Sequence, residues 1–221
     1  MNLSELSLIL NILGVVSFAI SGVLVAVRKK MDYLGVVILG IVSSVGGGVI
    51  RDIIMGRIPP TMFTNPLYVT VSFITANIAF IFLYFNLEGK SRPAINRIFE
   101  EFYFWFDTFG LALFTTQGVL AGKTIAGAGI FLCSFLGVMT GVGGGVLRDL
   151  LANTVPAIFI KHIYALASIT GAIAISLLWD VNDTLAILVG FFLIVQIRYM
   201  ARKHKWNLPY IKNIPPERPE R

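Results

Sequence analysis

Five stretches of the chain run for at least 18 residues without a charged side chain: 6–27, 33–50, 58–87, 124–147 and 162–179. A helix needs about 20 apolar residues to cross the hydrocarbon core of a bilayer. Two further segments are nearly as apolar: 102–122, with the single charge Asp107, and 183–200, which is uncharged from Thr184 to Ile197. The backbone must satisfy its own hydrogen bonds in lipid, and the alternation of barrel strands is absent. The pattern therefore predicts seven transmembrane helices.

The composition agrees with a lipid environment. Hydrophobic residues make up 56% of the chain and charged residues 14%, and the mean hydropathy is +0.81, which excludes an ordinary soluble domain. The net charge of +6 does not indicate a nucleic-acid partner, because the basic residues lie between and after the helices. Cys133 is the only cysteine, which excludes an intrachain disulfide and a multi-cysteine metal site.

The distribution of basic residues predicts the orientation. With the N-terminus outside, only Arg57 and Lys123 lie in external loops. The cytoplasmic segments then hold Arg28, Lys29, Lys30, Lys90, Arg92, Arg97, Lys161 and the basic residues from Arg198 to Arg221. This positive-inside bias predicts a multi-pass protein of the plasma (inner) membrane with an external N-terminus and a cytoplasmic C-terminus.

The chain contains an internal repeat. Residues 46–52, Gly-Gly-Gly-Val-Ile-Arg-Asp, recur at 143–149 as Gly-Gly-Gly-Val-Leu-Arg-Asp, an offset of 97. Further matches occur at an offset of 96: Gly14 with Gly110, Phe18 with Phe114, Gly22 with Gly118, Tyr68 with Tyr164, Ser72 with Ser168 and Ala76 with Ala172. Helices one to three therefore repeat as helices four to six. Because three is odd, the two units cross the membrane in opposite directions and form inverted repeats.

The predicted architecture is an all-α membrane protein with seven transmembrane helices, two inverted three-helix repeats plus a seventh helix. A single transmembrane domain covers 1–205, and a cytoplasmic tail covers 206–221. Within the domain we assign repeat one to 6–86, a cytoplasmic linker to 87–101, repeat two to 102–180 and helix seven to 183–200.

The two glycine runs fall near the middle of helices two and five. Three glycines in a helix favour a kink that frees backbone carbonyls, which could line a hydrated path for a cation. The alternative is that small residues let two helices pack closely. Three hydroxyl residues lie just before the runs and could line a polar constriction. The candidate pore residues are Gly46, Gly47, Gly48, Gly143, Gly144, Gly145, Ser43, Ser44 and Thr140.

An Arg-Asp pair follows each glycine run by one turn, Arg51 with Asp52 and Arg148 with Asp149. A charge at this depth costs at least about 2.5 kcal/mol, so these side chains should face the bundle interior or water. Adjacent helical residues point about 100° apart, which favours pairing across the repeats, Arg51 with Asp149 and Arg148 with Asp52. Two roles remain open: gates at the ends of a pathway, or ion pairs that only lock the repeats together.

One polar position recurs in the first helix of both repeats, as Asn11 and Asp107. Helix capping or anchoring at the interface is the favoured role. No phosphate loop, metal-spaced His or Cys set, or nucleophile with a nearby histidine is present in the sequence. We therefore expect no enzymatic activity, no cofactor and no metal site beyond transient potassium.

The duplicated Gly-Gly-Gly-x-x-Arg-Asp motif within seven helices resembles the bacterial branch of the trimeric intracellular cation (TRIC) channels. The resemblance covers roughly 5–200 and includes the Phe-x-x-x-Gly pattern at Phe18–Gly22 and Phe114–Gly118. It implies a homotrimer in which each subunit holds a pore between kinked helices two and five, permeable to potassium and other monovalent cations. Asn11 departs from the aspartate that related chains often carry there.

The same branch is also known as a glycine transporter domain, so two functions are carried forward. The first is a homotrimeric, potassium-permeable channel, with sodium as a second candidate ion and membrane lipids as further partners. The second is an alternating-access transporter of a small zwitterion such as glycine, which would bind near the glycine runs. A scaffold without transport is disfavoured, because two deep charge pairs would then cost free energy and serve no function.

Overall fold

A computed structural model describes residues 3–87, 92–125, 127–160 and 163–206. In these ranges the chain forms nine helices and no strand. Their bounds are α1 Leu3–Arg28, α2 Tyr33–Ile54, α3 Thr61–Thr64, α4 Leu67–Leu87, α5 Arg92–Lys123, α6 Ile130–Leu151, α7 Ala157–Ile160, α8 Tyr164–Leu178 and α9 Asp183–Lys203. The prediction of an all-helical membrane protein is confirmed.

Seven of these helices correspond to the seven predicted segments, and α3 and α7 are additional single turns of four residues. By length and composition, five helices can cross a membrane, namely α1, α2, α4, α6 and α9. The remaining two are α8, which has only 15 residues, and α5, whose apolar part contains Asp107 and Gln117. Helix α5 begins at Arg92, within the 87–101 range assigned to the linker. Residues 88–91 and the tail from 207 lie outside the described ranges.

The single-turn helices α3 and α7 are held by the aspartates of the repeated motif. The Thr61 N–H donates to Asp52 Oδ2 at 2.8 Å, and the Ala157 N–H donates to Asp149 Oδ2 at 2.9 Å. N–H groups in the first turn of a helix have no partner within the helix, so a carboxylate there removes unpaired donors. Each aspartate therefore fastens the loop that follows its own helix.

The centre of the molecule is the crossing of α2 and α6 at the two glycine runs. A Cβ atom added to Gly47 would overlap the carbonyl oxygen of Thr140, and one added to Gly144 would overlap that of Ser43. The backbone is α-helical at every residue of both elements. The expected release of carbonyls is therefore not seen at this crossing, and the close-packing alternative describes it, because the missing side chains let the two backbones touch.

Helix α9 packs against α5 and α8, both in the second repeat. Its crossing with α8 also depends on glycine. A side chain at Gly190 would overlap Ile175, and one at Gly171 would overlap Ile194, two fully buried isoleucines. The seventh helix is thus built into one half of the molecule, which makes the two repeats unequal in their surroundings.

Candidate functional site

Arg148 forms the centre of a buried ion cluster. Its guanidinium is 1% exposed and donates to Asp107 Oδ1 at 2.8 Å, Ser21 Oγ at 2.7 Å and the Tyr103 hydroxyl at 2.8 Å. Its Nε donates to Asp149 Oδ1 at 2.9 Å. We call these residues, together with Tyr164 and Arg198, the Arg148 cluster. Every nitrogen of the guanidinium has a hydrogen-bond partner. These bonds offset the free energy that burial of an unpaired charge would cost.

Asp107 connects the second repeat to α9. Its Oδ2 accepts from Arg198 Nη2 at 3.0 Å, while its Oδ1 accepts from Arg148 and lies 3.4 Å from the Tyr164 hydroxyl. The Arg198 guanidinium also stacks over the Tyr164 ring, 4.6 Å from the centroid. The favoured role of Asp107 as a cap or interface anchor is wrong, because Asp107 is fully buried within α5. Arg198, which the charge pattern assigns to a cytoplasmic segment, is buried as well. Each is an isolated charge in an apolar helix and needs a partner.

The prediction that the Arg-Asp pairs bond across the repeats is wrong. Arg51 donates from Nε and Nη2 to its own neighbour, at 2.9 and 2.7 Å from Asp52 Oδ1, and Arg148 likewise bonds Asp149. The reason is the antiparallel crossing. Ser43 faces Gly144 while Gly47 faces Thr140, so the carboxyl ends of α2 and α6 point in opposite directions. The two pairs therefore lie on opposite sides of the crossing.

Arg51 lies in an open cavity of about 640 Å³. The repeat offset gives every residue of the Arg148 cluster, apart from Arg198, a counterpart in the lining of this cavity. These counterparts are Ser7 for Tyr103, Asn11 for Asp107, Gln117 for Ser21, Arg51 for Arg148, Asp52 for Asp149 and Tyr68 for Tyr164. We call this space the Arg51 cavity. It is the equivalent site of the other repeat, but here the side chains leave an open space.

The hydrogen bonds of the Arg51 cavity differ from those of the cluster. Gln117 Oε1 accepts from Ser7 Oγ at 3.0 Å and from Asn11 Nδ2 at 3.1 Å, and Gln117 Nε2 donates to the Ser7 carbonyl at 2.9 Å. These amide and hydroxyl groups bond one another, and the hydrogen bonds of Arg51 go to Asp52. The first repeat has a small serine where the second has a tyrosine. It also has a neutral amide where the second has a carboxylate, and such a carboxylate would attract the arginine across the site. The cavity is left open for these two reasons.

The predicted pore residues divide between the crossing and the two arginine sites. Ser43 and Thr140 donate back to the Leu39 and Leu136 carbonyls of their own helices, both at 2.6 Å, as hydroxyls in membrane helices often do. Ser44 and Gly48 line the Arg51 cavity. Gly145 faces Tyr164 and Arg148. The other predicted glycines lie at the crossing: Gly46, Gly47, Gly143 and Gly144.

A family model described as "Glycine transporter" matches the chain twice, over residues 8–84 and 104–180. The two matches begin and end 96 residues apart, in agreement with the repeat. A UPF0126 membrane protein from Deinococcus radiodurans is 38% identical over 209 residues, covering 93% of this chain and 92% of that protein.

Two solved structures share the fold over nearly the whole length. The TRIC trimeric intracellular cation channel orthologue from Rhodobacter sphaeroides has a TM-score of 0.79 and 33% identity, covering 91% of this chain and 99% of that one. A prokaryotic TRIC channel solved in 0.5 M KCl has a TM-score of 0.83 and 28% identity, covering 93% of this chain and all of that one. With both repeats matched and the fold shared, the chain belongs to the bacterial branch of the TRIC cation channel family.

Proposed function

We propose that this protein is a homotrimeric, potassium-permeable channel for monovalent cations, with one pore per subunit between α2 and α6. The observation that carries the proposal is the Arg51 cavity, which leads to Ser44 and Gly48 at the edge of the α2–α6 crossing. The similarity to solved TRIC cation channels supports the ion class. The proposed setting is a plasma (inner) membrane, with the N-terminus and the Arg51 cavity on the outer side.

The constriction of this path is the crossing itself. The Ser43 carbonyl faces Gly144 and the Thr140 carbonyl faces Gly47 at close range. A small separation of the two helices would expose these carbonyls to water, and carbonyl rings are established ligands of a dehydrated potassium ion. In this proposal the tight crossing is the closed form of the pore. Arg51 sits at the approach with its charge balanced by Asp52, so it can modulate cation entry without a net repulsive charge.

The second candidate is an alternating-access transporter of a small zwitterion such as glycine. The description of the matching family model favours it, as does the difference between the two ends of the crossing, with the open Arg51 cavity at one end and the buried Arg148 cluster at the other. Arg57 and Lys123 also line that cavity and would attract a carboxylate. Inverted repeats are common in such transporters.

The test is single-channel recording of purified protein in planar bilayers under a potassium gradient. Gly48→Leu is the informative variant, because a Cβ there meets nothing closer than Arg51 Nη2 at 3.9 Å and so fills the cavity without a backbone clash. Gly129→Leu is its control, since that position has open space around it and lies at the start of α6.

The channel predicts discrete current steps for the native protein and for Gly129→Leu, with a unit conductance reduced several-fold in Gly48→Leu. Silent bilayers combined with saturable glycine uptake into liposomes would instead establish the transporter. The two outcomes separate because alternating access is limited to microsecond-to-second conformational steps, too slow for resolved single-molecule currents.

A further inference from the structure

The charges that line the Arg51 cavity do not balance. Among the described residues, the lining holds three basic side chains, Arg51, Arg57 and Lys123, and one acidic side chain, Asp52. Arg51 and Asp52 form an ion pair at 2.7 Å and offset each other, which leaves a formal surplus of two positive charges. A monovalent cation is repelled by such a surplus, most strongly in a concave site with walls of low dielectric constant. A cation path through this cavity therefore needs negative charge from another source.

Arg57 and Lys123 carry the surplus because neither has a close carboxylate. The Lys123 ammonium lies 3.9 Å from Asp180 Oδ1, too far for a hydrogen bond, and the Asp180 side chain is 89% exposed. Arg57 donates to a neutral group, the Thr124 hydroxyl, at 3.1 Å. In the part of the chain that the structure describes, Arg57 forms no ion pair.

The hydrogen bond to Thr124 also brings the two cations to the same side of the cavity. Arg57 follows α2 in the first repeat, and Thr124 directly follows Lys123 at the end of α5. Like charges held near each other cost free energy, and an anion that contacts both removes this cost. Arg57 is exposed and Lys123 is partly exposed, so an anion from solution can reach them. We call Arg57 and Lys123 the cationic pair.

The rest of the lining favours a small organic carboxylate over an inorganic anion. A guanidinium presents parallel N–H donors that match the two oxygens of a carboxylate. The Trp179 ring lies 6.0 Å from the Lys123 ammonium, and Met62 and Leu120 also line the cavity. These apolar groups can contact the hydrocarbon part of an organic acid. The volume of about 640 Å³ lies in the range of small-molecule sites.

An ammonium group on the ligand would find no suitable partner. Asp52 is the acidic side chain of the described lining. Its Oδ1 accepts from Arg51 and its Oδ2 accepts from the Thr61 N–H, so its charge is matched and both oxygens are in use. The cationic pair would repel a further positive charge. The lining therefore favours a carboxylate without an amine over a zwitterion.

We propose that the Arg51 cavity binds a small monocarboxylate without an amine, and that the cationic pair holds it. The bound anion cancels one of the two surplus charges and places negative charge on the approach of the cation. Its effect on current rests on the channel function proposed above, whereas its binding does not. Potassium conductance then depends on the anion present on the side of the membrane that the cavity faces.

Binding is measured on the full-length protein in detergent, with acetate as the probe and saturation-transfer NMR of its methyl signal as the readout. Chloride replaces acetate in the titration, so that the ionic strength stays constant. The test variant is Arg57→Gln with Lys123→Gln. Its control is Lys29→Gln with Lys30→Gln, which removes the same charge at two exposed positions after α1 that do not line the cavity. Equal thermal unfolding shows that both variants are folded.

The site predicts that the affinity for acetate falls at least about tenfold in the test variant, because two charge-assisted contacts are lost. The control should bind acetate as the native protein does. Glycine should displace acetate several-fold less well than propionate, which has a methyl group in place of the ammonium. Equal acetate binding by the native protein and the test variant overturns the proposal, as does displacement by glycine that matches displacement by propionate.

Bilayer recording at low ionic strength separates the site from the channel function, because screening is then weak. Replacing chloride by acetate on the cavity side should raise the unit potassium conductance of the native protein and the control, but not that of the test variant. If acetate binds and no variant conducts, the carboxylate site stands and the channel function fails. If the native protein conducts but does not bind acetate, the site is overturned. Equal conductance in the two anions, with acetate bound, overturns the role of the anion.

Discussion

The two halves of this molecule use the same repeated motif and reach opposite results. At one end of the α2–α6 crossing, Arg148 is fully buried with four hydrogen-bonding partners. At the other, Arg51 borders an open cavity and bonds its neighbouring aspartate. The backbone plan is shared, and the difference comes from a few side chains of the first helices together with Arg198 of α9. The repeated motif therefore supplies a shared framework, and the side chains around it set the state of each end.

The largest effect on ion current is expected where the halves meet. Gly47→Leu or Gly144→Leu drives a side chain into a backbone carbonyl of the opposite helix and should destabilise the protein by about 3 kcal/mol, the upper part of the range for overpacking. Thermal unfolding in detergent measures the loss, and bilayer recording should find no current. Gly129→Leu serves as the control. Native-like unfolding of both crossing variants would contradict the tight crossing.

The second prediction compares the stability that is lost when each of the two arginines is replaced. Arg148→Met removes the partner of two buried carboxylates and should cost about 3–5 kcal/mol. Arg51→Met removes the partner of one carboxylate, Asp52, which is also buried but keeps its bond from the Thr61 N–H, so a smaller loss of about 1–3 kcal/mol is expected. Denaturant unfolding of the two variants in micelles measures the gap. Equal losses would mean that the open and closed ends are not energetically different.

The membrane fold and the repeat were accessible from sequence because they depend on long patterns. Apolar length identifies each helix, and the seven-residue motif at 46–52 and 143–149 aligns the repeats. The motif also drew attention to Arg51 and Arg148, which lie in the open cavity and in the buried cluster. The inverted repeat already implies that α2 and α6 run in opposite directions. The contacts of Ser43 and Gly47 show that this direction places the two pairs on opposite sides of the crossing, so they cannot bond each other.

The contents of the Arg148 cluster were less accessible. Asp107 comes from α5 and Arg198 from α9, and no spacing rule connects residues 91 positions apart. The sequence does contain one signal. Each of these residues is an isolated charge in an otherwise apolar helix, and charges within lipid pair with one another. The open cavity was not predictable from the motif, because it results from what Ser7 and Asn11 lack in comparison with Tyr103 and Asp107.

A third prediction sharpens the comparison by making the open half resemble the closed one. Asn11→Asp places a carboxylate where Asp107 lies in the other repeat, so Arg51 should be drawn across the Arg51 cavity. In a Cys133→Ala background, labelling of Gly48→Cys by a cationic methanethiosulfonate reagent should slow several-fold, and unit conductance should fall. Asn182→Asp is the control, because Asn182 caps α9 through an oxygen that aspartate also provides. Unchanged labelling in Asn11→Asp would show that charge at this position does not control the cavity.

The smallest effect is expected at the exposed link between α5 and α9. Glu101 and Arg202 form a two-bond ion pair with side chains 51% and 36% exposed, so solvent and salt screen it. Glu101→Gln should change unfolding stability by less than about 1 kcal/mol. Asp107→Asn on the same helix should cost far more, since it leaves two buried arginines with one carboxylate fewer. Measured by the same denaturant titration, comparable losses from the two variants would indicate that Asp107 acts as an ordinary helix-to-helix contact. The difference between the Arg148 cluster and the Arg51 cavity would then need another cause.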